Sequence, residues 1–501
     1  MKKKTWTKKE IVKIPFAPKY PPSKEQEGIF TAIRGHKQNL HIEASPGSGK
    51  TTTIIWAMNE NPERDAAVLA FSKEIVNELE PKCPADSECR TAHSFGYRAL
   101  SAKVGKLYLE QGQGSKVKAI LKDVNRTFDP DNFDGKEKGA AFARMFNMMK
   151  LVNMLRVNLT DENNVGEVIK IVNRYNIEIE DMGLLELLPK IFQKIIESPN
   201  YIDYTDMLWL PIRMNLKLPK FNMLYIDERQ DLNSLMIEYI FRMVGERIMT
   251  CGDSFQSIFA FGGADIKSTE RLIAKFGGVE LPLNVCYRCG TKIVEFAQKV
   301  YNKIQPWEGS PEGVVDERED IDYDMPDGSM ILCRRNANLI KPCFKFLRDG
   351  RKAIIKGRDI GAGIISLIKQ MKADSTLDLV DKINDYRGKK IELLQRKEEI
   401  NASQIDATND QCDCICEIAQ SCSSIEDMEN KINIIFSDDR QGVTLSSVHR
   451  SKGLEADQVT IIDFNRIRLS NERMKPEDHV QEKNLDFVAR TRAKRVLHII
   501  K

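Results

Sequence analysis

The stretch His41-Ile-Glu-Ala-Ser-Pro-Gly-Ser-Gly-Lys-Thr-Thr-Thr53 restricts this chain more than any other. An apolar run turns through Gly47 and Gly49 directly into a helix-compatible segment, Thr52 to Met58. Strand, glycine turn and helix in that order make a phosphate cradle. The glycines let backbone N–H groups turn inward on an anion, Lys50 adds a mobile positive charge, and the Thr51 hydroxyl suits Mg²⁺. The helix that follows points its positive end at the same anion. Ala44 stands where the first glycine of G-x-x-x-x-G-K-[ST] is expected, but the core Pro-Gly-Ser-Gly-Lys-Thr-Thr is intact. The phosphate-binding set is therefore Ala44, Gly47, Ser48, Gly49, Lys50, Thr51 and Thr52.

A chain of 501 residues exceeds one ordinary domain, and roughly two to four are expected. With 42% hydrophobic and 30% charged residues, and no apolar run of about eighteen or more, it reads as soluble, cytoplasmic and without a membrane span. The N-terminal Met1-Lys-Lys-Lys-Thr-Trp-Thr-Lys-Lys-Glu10 is basic but has no apolar segment behind it, unlike a secretory signal. A net charge of +3 does not advertise a polyanion partner for the whole surface, so a nucleic-acid site must be a local groove. Eleven scattered cysteines point to reduced thiols. The densest group, Cys412-Asp-Cys414-Ile-Cys416 with Cys422, lacks zinc spacing.

Upstream of the cradle, Ser23 and Gln26 have capping-box spacing, and the Gln26 amide can also donate to and accept from an adenine edge. Downstream, Ala66 to Phe71 and Cys89 to Thr91 read as buried strands, each running into a helix. Such alternation implies an α/β fold with a parallel sheet whose ligands sit at the carboxyl ends of the strands, where Phe71, Ser72, Thr91, His93 and Ser94 fall. From 101 to 203 helical periodicity takes over, as in Lys138 to Val157, and reads as a helical insertion. The strand pattern resumes at Phe221-Asn-Met-Leu-Tyr-Ile-Asp-Glu-Arg-Gln-Asp231, which ends in paired carboxylates. Asp227 can face Mg²⁺ and Glu228 an attacking water as general base. Next, Ile248 to Asp265 places Gln256 where it can sense a γ-phosphate, with Phe259 or Phe261 available to stack on a base.

These segments, taken in order, resemble motifs I, II and III of the UvrD/Rep-type helicases of superfamily one. Leu283-Asn-Val-Cys-Tyr-Arg288 is similar to the family's motif IV, Thr444 to Glu455 to motif V, and Phe487-Val-Ala-Arg-Thr-Arg-Ala493 to motif VI. Gln26 matches the Q motif, Ala70-Phe-Ser72 motif Ia, Thr91-Ala-His-Ser94 motif Ib, and Tyr204 to Leu208 the segment before motif II.

The resemblance implies two RecA-like parallel-sheet domains in tandem, facing each other across one ATP with Mg²⁺, each with a helical insertion. The expected boundaries are 1–100 plus 204–277 for the first domain, 101–203 for its insertion, 278–360 plus 437–501 for the second domain, and 361–436 for a smaller insertion. By motif position Arg288 and Arg492 are the arginines that stabilise the γ-phosphoryl transition state, Tyr287 stacks on adenine, and Glu455 lies near the ribose and γ-phosphate. Lys50, Asp227, Glu228 and Gln256 complete the catalytic set. Phe71, Ser72, Thr91, His93, Phe261 and His449 are the candidate contacts to a single strand. The expected activity is ATP-driven movement on single-stranded DNA and unwinding at single/double-strand junctions, three-prime to five-prime, in replication, repair or recombination. The competing expectation is a DNA-stimulated ATPase subunit that serves a partner, such as a nuclease of a phage-defence complex or a replication factor. Two departures bear on unwinding: Gly262 replaces the usual arginine before Gly-Ala, and Arg490 replaces an apolar residue.

Overall fold

The computed structural model describes residues 16–18, 20–35, 38–61, 65–70, 72–110, 115–258, 268–395, 402–438, 442–469, 474 and 476–501. The chain forms two compact units. The first holds Met1–Ala44, Gly49–Ser254 and Phe259–Leu283; the second holds Ser45–Ser48, Phe255–Ile258 and Asn284–Lys501.

The first unit contains the strands β1 (Leu40–Ala44), β2 (Ala66–Ala70), β3 (Ser87–Thr91), β4 (Tyr108–Leu109), β5 (Tyr201–Ile202), β6 (Phe221–Ile226), β7 (Val244–Gly252) and β8 (Val279–Leu283). Six of them make one sheet in the order β3-β2-β6-β7-β1-β8, with every pairing parallel. Parallel strands are covered on both faces, which is why Ala66-Ala-Val-Leu-Ala70 is buried throughout. The helices are α1 (Lys24–Gly35), α2 (Lys50–Glu60), α3 (Lys73–Leu79), α4 (Ala92–Val104), α5 (Ser115–Val124), α6 (Gly135–Asn158), α7 (Val165–Arg174), α8 (Leu188–Glu197), α9 (Tyr204–Arg213), α10 (Ser234–Met243) and α11 (Ser268–Phe276).

The helices α5 to α8 lie between the short paired strands β4 and β5, within the region expected to be an insertion. They are not a separate body. Leu121, Met148, Leu151, Leu188 and Phe192 belong to one apolar cluster with Ala67, Leu69 and Leu224 of the sheet. Arg156 of α6 is buried and pairs with Asp203 and Asp206, each at 2.8 Å, while Lys116 of α5 reaches Asp206 at 3.0 Å. Asp203 and Asp206 also form the capping box of α9, so one acidic pair starts a helix and anchors the insertion. At Gly96 a Cβ would lie 1.8 Å from the Met207 carbonyl oxygen, so α4 and α9 approach closely only because the residue is glycine.

One boundary differs from expectation. Val279–Leu283 runs alongside β1 from Leu40 to Ala44, so the first unit extends to Leu283 and not to 277. The added strand is held by pairing with a segment far upstream, which no local sequence pattern marks.

The second unit contains β9 (Val285–Cys286), β10 (Gln305–Pro306), β11 (Val314–Glu317), β12 (Met330–Cys333), β13 (Ala353–Lys356), β14 (Phe436–Ser437), β15 (Val443–Ser447), β16 (Ala456–Ile461) and β17 (Ala493–Ile499). Seven form a second parallel sheet, β11-β17-β16-β12-β15-β13-β14, and β9 pairs with β10 apart from it. Its helices are α12 (Thr291–Gln298), α13 (Ala337–Arg348), α14 (Arg358–Met371), α15 (Thr376–Gln395), α16 (Ala402–Ala419), α17 (Ile425–Ile435) and α18 (Pro476–Arg490). The run α14 to α17 stands between β13 and β14. Its Leu367, Ile383, Ile415 and Ile432 share a core with Ile331, Ile355 and Leu445 of the sheet, and Cys412 and Cys414 are buried in that core. No described helix is long and apolar enough to cross a membrane.

Candidate nucleotide and strand sites

In the first unit the candidate groups meet at the carboxyl ends of β1 and β6. Gly49 has φ 78° and ψ 35°, and it precedes α2 with no side chain capping the helix start. The first N–H groups of α2 are thus available to an anion. Gly47 and Ser48, just upstream, fall in the second unit; Gly47 also has a positive φ, 68°, and the buried Ser48 hydroxyl has no protein partner. Within the first unit, an uncapped helix start and Lys50 fit a polyphosphate. Burial works against the Lys50 ammonium, but Glu228, Asp253 and Asp227 outweigh it and leave its pKa raised, so the residue is a cation.

Thr51 Oγ1 donates to Asp227 Oδ2 at 3.1 Å. Burial pushes the Asp227 carboxyl up to about 6, with Glu228 adding to the rise and Lys50 opposing it. A hydroxyl beside a carboxylate is an oxygen pair of the kind Mg²⁺ takes alongside phosphate oxygens and water. Glu228 follows in a left-handed conformation, φ 53°, which a non-glycine residue rarely adopts. Its carboxylate accepts from Gln230 Nε2, and Gln230 Oε1 accepts the Asp253 N–H at 2.9 Å. Sequence reading missed Gln230; its place two residues after Glu228 was the available signal.

Gln26 is buried. It forms the expected capping box, with Gln26 N–H to Ser23 Oγ at 3.2 Å and Ser23 N–H to Gln26 Oε1 at 2.9 Å. Its Nε2 donates to Thr53 Oγ1 at 2.9 Å, so in this structure the amide ties α1 to α2. Thr52 is exposed, and Ala44 is buried at the end of β1.

In the second unit Tyr287 donates its N–H to the Gly47 carbonyl at 2.9 Å and packs its ring on Trp307, centroids 5.7 Å apart. Trp307 is a second residue the sequence did not single out. Arg288 Nε pairs with Glu455 Oε2 at 2.6 Å, and Lys494 Nζ binds the other carboxylate oxygen at 2.8 Å. Arg492 is buried. It donates to the carbonyls of Val488 at 3.0 Å and Leu454 at 3.2 Å, and to Gln256 Oε1 at 3.2 Å. Two residues expected to face the γ-phosphate, Gln256 and Arg492, are therefore in direct contact. Arg490 Nε bonds Asp486 Oδ1 at 2.7 Å, and the guanidinium lies 4.1 Å from the Phe296 ring centroid.

The comparisons with known proteins agree with the motif order. The UvrD/REP helicase N-terminal domain matches residues 24–277, just over half of the chain, and the UvrD-like helicase C-terminal domain matches 354–501. The chain belongs to the UvrD/REP helicase family. Among relatives of this family member, F-box DNA helicase protein 1 of Schizosaccharomyces pombe is 22% identical over 94% of this chain and 56% of its own length. DNA helicase II of Escherichia coli is 21% identical over 53% of this chain and 38% of its own. The ATP-dependent DNA helicase PcrA of Staphylococcus epidermidis is 24% identical over 47% and 34%. The chain thus spans between a third and just over half the length of these relatives.

Of the candidate strand contacts in this UvrD/REP member, Phe71 and Phe261 lie outside the described residues, as do Phe259 and Gly262. Ser72 caps α3, accepting from the Ile75 N–H, and Thr91 caps α4, accepting from the Ser94 N–H. Both hydroxyls sit at helix starts that follow β2 and β3. His93 packs edge-on against Tyr204, ring centroids 5.9 Å apart, and burial lowers its pKa. Tyr204 itself is 65% exposed, an aromatic face beside His93. His449 lies in the turn after β15, where burial, helped by the charge of Arg334, pulls its pKa down to about 4.

Proposed function

We propose that this chain is an ATP-driven motor on single-stranded DNA that unwinds duplex at a single/double-strand junction. The carrying observation is the meeting of Lys50, Thr51, Asp227 and Glu228 at the ends of β1 and β6, a set that binds and hydrolyses a nucleoside triphosphate. Named relatives being DNA helicases supports DNA as the polymer.

In this reading the glycine loop and the start of α2 bind the phosphates, and Lys50 neutralises their charge. Thr51 and Asp227 hold Mg²⁺, which when bound offsets charge on the phosphate oxygens. Glu228 takes the proton of the attacking water. Arg288 and Arg492 supply the positive charge that the transition state needs, with Gln256 reporting the γ-phosphate to Arg492 through their hydrogen bond. Glu455 holds Arg288 oriented until phosphate competes for it. Tyr287, backed by Trp307, offers a face to adenine. Ser72, Thr91, His93, Tyr204 and His449 contact the strand, and Phe71 and Phe261 join them on sequence grounds.

The test is strand displacement on three-prime and five-prime tailed duplexes, with ATP hydrolysis measured in parallel. Displacement of the three-prime tailed substrate alone is the expected result. Strand-stimulated hydrolysis without displacement by the purified chain would instead favour an ATPase subunit that drives a partner, the reading to which Gly262 gives weight.

A further inference from the structure

Glu43 is out of character for its position. It is the carboxylate in Leu40-His-Ile-Glu-Ala44, a strand flanked on both sides by β7 and β8, and its side chain is only 14% exposed. Arg229, in the turn directly after Glu228, is fully buried and pairs with it through Nη2. Arg229 Nη2 also lies 3.5 Å from Glu280, while Nε and Nη1 have no protein partner. The other face of Glu43 is used as fully: Oε1 accepts the Ser254 N–H at 2.9 Å and Oε2 accepts the Ser254 hydroxyl at 2.8 Å.

Such an arrangement is costly as a means of stability. A buried ion pair barely recovers its desolvation, and apolar replacements are often neutral or better. A guanidinium with two orphan donors adds a further cost. What the pair does achieve is geometric. The turn that carries Glu228 has two arms, Gln230 reaching the Asp253 N–H and Arg229 reaching Ser254 through Glu43. Both arms end on consecutive residues that lead into Gln256. At Gly252 a Cβ would meet Arg229 Cγ at 2.5 Å and Gln230 Oε1 at 2.4 Å, so the two arms close over a position without a side chain.

We infer that Glu43 and Arg229 are positioning residues, which fix the Glu228 turn against the strand entering the phosphate loop and against the segment leading to Gln256. The inference rests on Glu228 being the base in the function proposed above. It assigns to the pair an effect on turnover and not on nucleotide affinity.

The experiment compares Glu43→Gln, Arg229→Met and the double variant Glu43→Met/Arg229→Met with the parent and with Lys50→Ala, all as the full chain. Melting temperature, KM for ATP and kcat of strand-stimulated hydrolysis are measured. Each single variant is expected to lose kcat about tenfold or more with KM within about threefold, and Glu43→Asp to recover part of that loss. The double variant, free of unpaired charge, should melt like the parent yet stay slow. A double variant that recovers both melting and kcat overturns the positioning role, and it decides the matter if the single variants do not fold. Single variants with normal turnover beside an inactive Lys50→Ala overturn it alone. A parent without ATPase, or a Lys50→Ala chain as fast as the parent, overturns the nucleotide reading and the positioning role with it.

Discussion

The two units treat their charged candidate groups in opposite ways. In the first, Glu228 raises the pKa of both Lys50 and Asp227, Lys50 opposes the rise of Asp227, and hydrogen bonds from Thr51 and Gln230 hold the two carboxylates. In the second, the cations are held by acceptors: Arg288 by a half-exposed Glu455, and Arg492 by two backbone carbonyls and a side-chain amide. The first arrangement is preorganised for an anion. The second holds its positive charge on protein acceptors, which in the function proposed above a phosphate oxygen would displace.

The sharpest way to break the contrast is at Lys50. Lys50→Ala removes the one ammonium among three carboxylates, and ATP turnover should fall by about 10³-fold or more, with nucleotide binding weakened as well. Measured turnover near that of the parent would mean that the phosphate cradle is not the site.

Arg492→Ala tests the other side. Turnover should drop by about 10²- to 10³-fold while ATP affinity, read from the fluorescence of a labelled nucleotide, stays within a few-fold. Equal losses of binding and turnover would place Arg492 in the ground-state complex and remove the distinction between the units. Glu455→Gln frees Arg288 from its carboxylate partner, and a change in kcat of about threefold or more with little change in KM is the expected mark of a contact that releases Arg288 only as charge develops.

How much of this was legible in the sequence depends on how local the cause is. The Ser23–Gln26 capping box, the glycine loop and the buried strands that lead into helices are written within a few residues of each other, and the structure has them where the pattern puts them. The Thr51–Asp227 contact crosses 176 residues but was readable because two motifs imply it. Pairings without a motif were not readable. Glu43 and Arg229 are 186 residues apart, and each alone looks like a misplaced charge. The pairing of Val279–Leu283 with β1 is set by the sheet as a whole, and no local pattern marks it. Trp307 becomes informative only when its ring is seen against Tyr287.

Stability separates the units next. Gly96→Ala drives a methyl group into the Met207 carbonyl where α4 meets α9, and should cost the first unit about 2–4 kcal/mol, seen as a lower melting temperature. Gly363→Ala in α14, where the nearest atom to a Cβ is 4.0 Å away, should leave the second unit unchanged or slightly more stable. Equal effects would show that the α4–α9 contact yields more easily than its geometry implies.

The last expected effect is a pH dependence centred on His449. Its folded pKa, about 4, lies below the ordinary value of 6.5, because burial and the charge of Arg334 disfavour the imidazolium. Below pH 6.5 the unfolded chain therefore takes up a proton that the folded chain refuses, and folding stability falls as pH drops toward 4. The contribution is present in full above 6.5 and is reduced by at most about 2 kcal/mol at pH 5. His93 in the first unit is lowered by burial alone, so the same loss there should be smaller. Urea unfolding at pH 7.5 and pH 5 measures both, with His449→Gln and His93→Gln as references. The parent should lose more stability than His449→Gln over that interval, and the gap should exceed that for His93→Gln. Identical losses in all three chains would mean that His449 titrates near its ordinary value and that Arg334, tied to Asp406 and Glu482, exerts no net field on it.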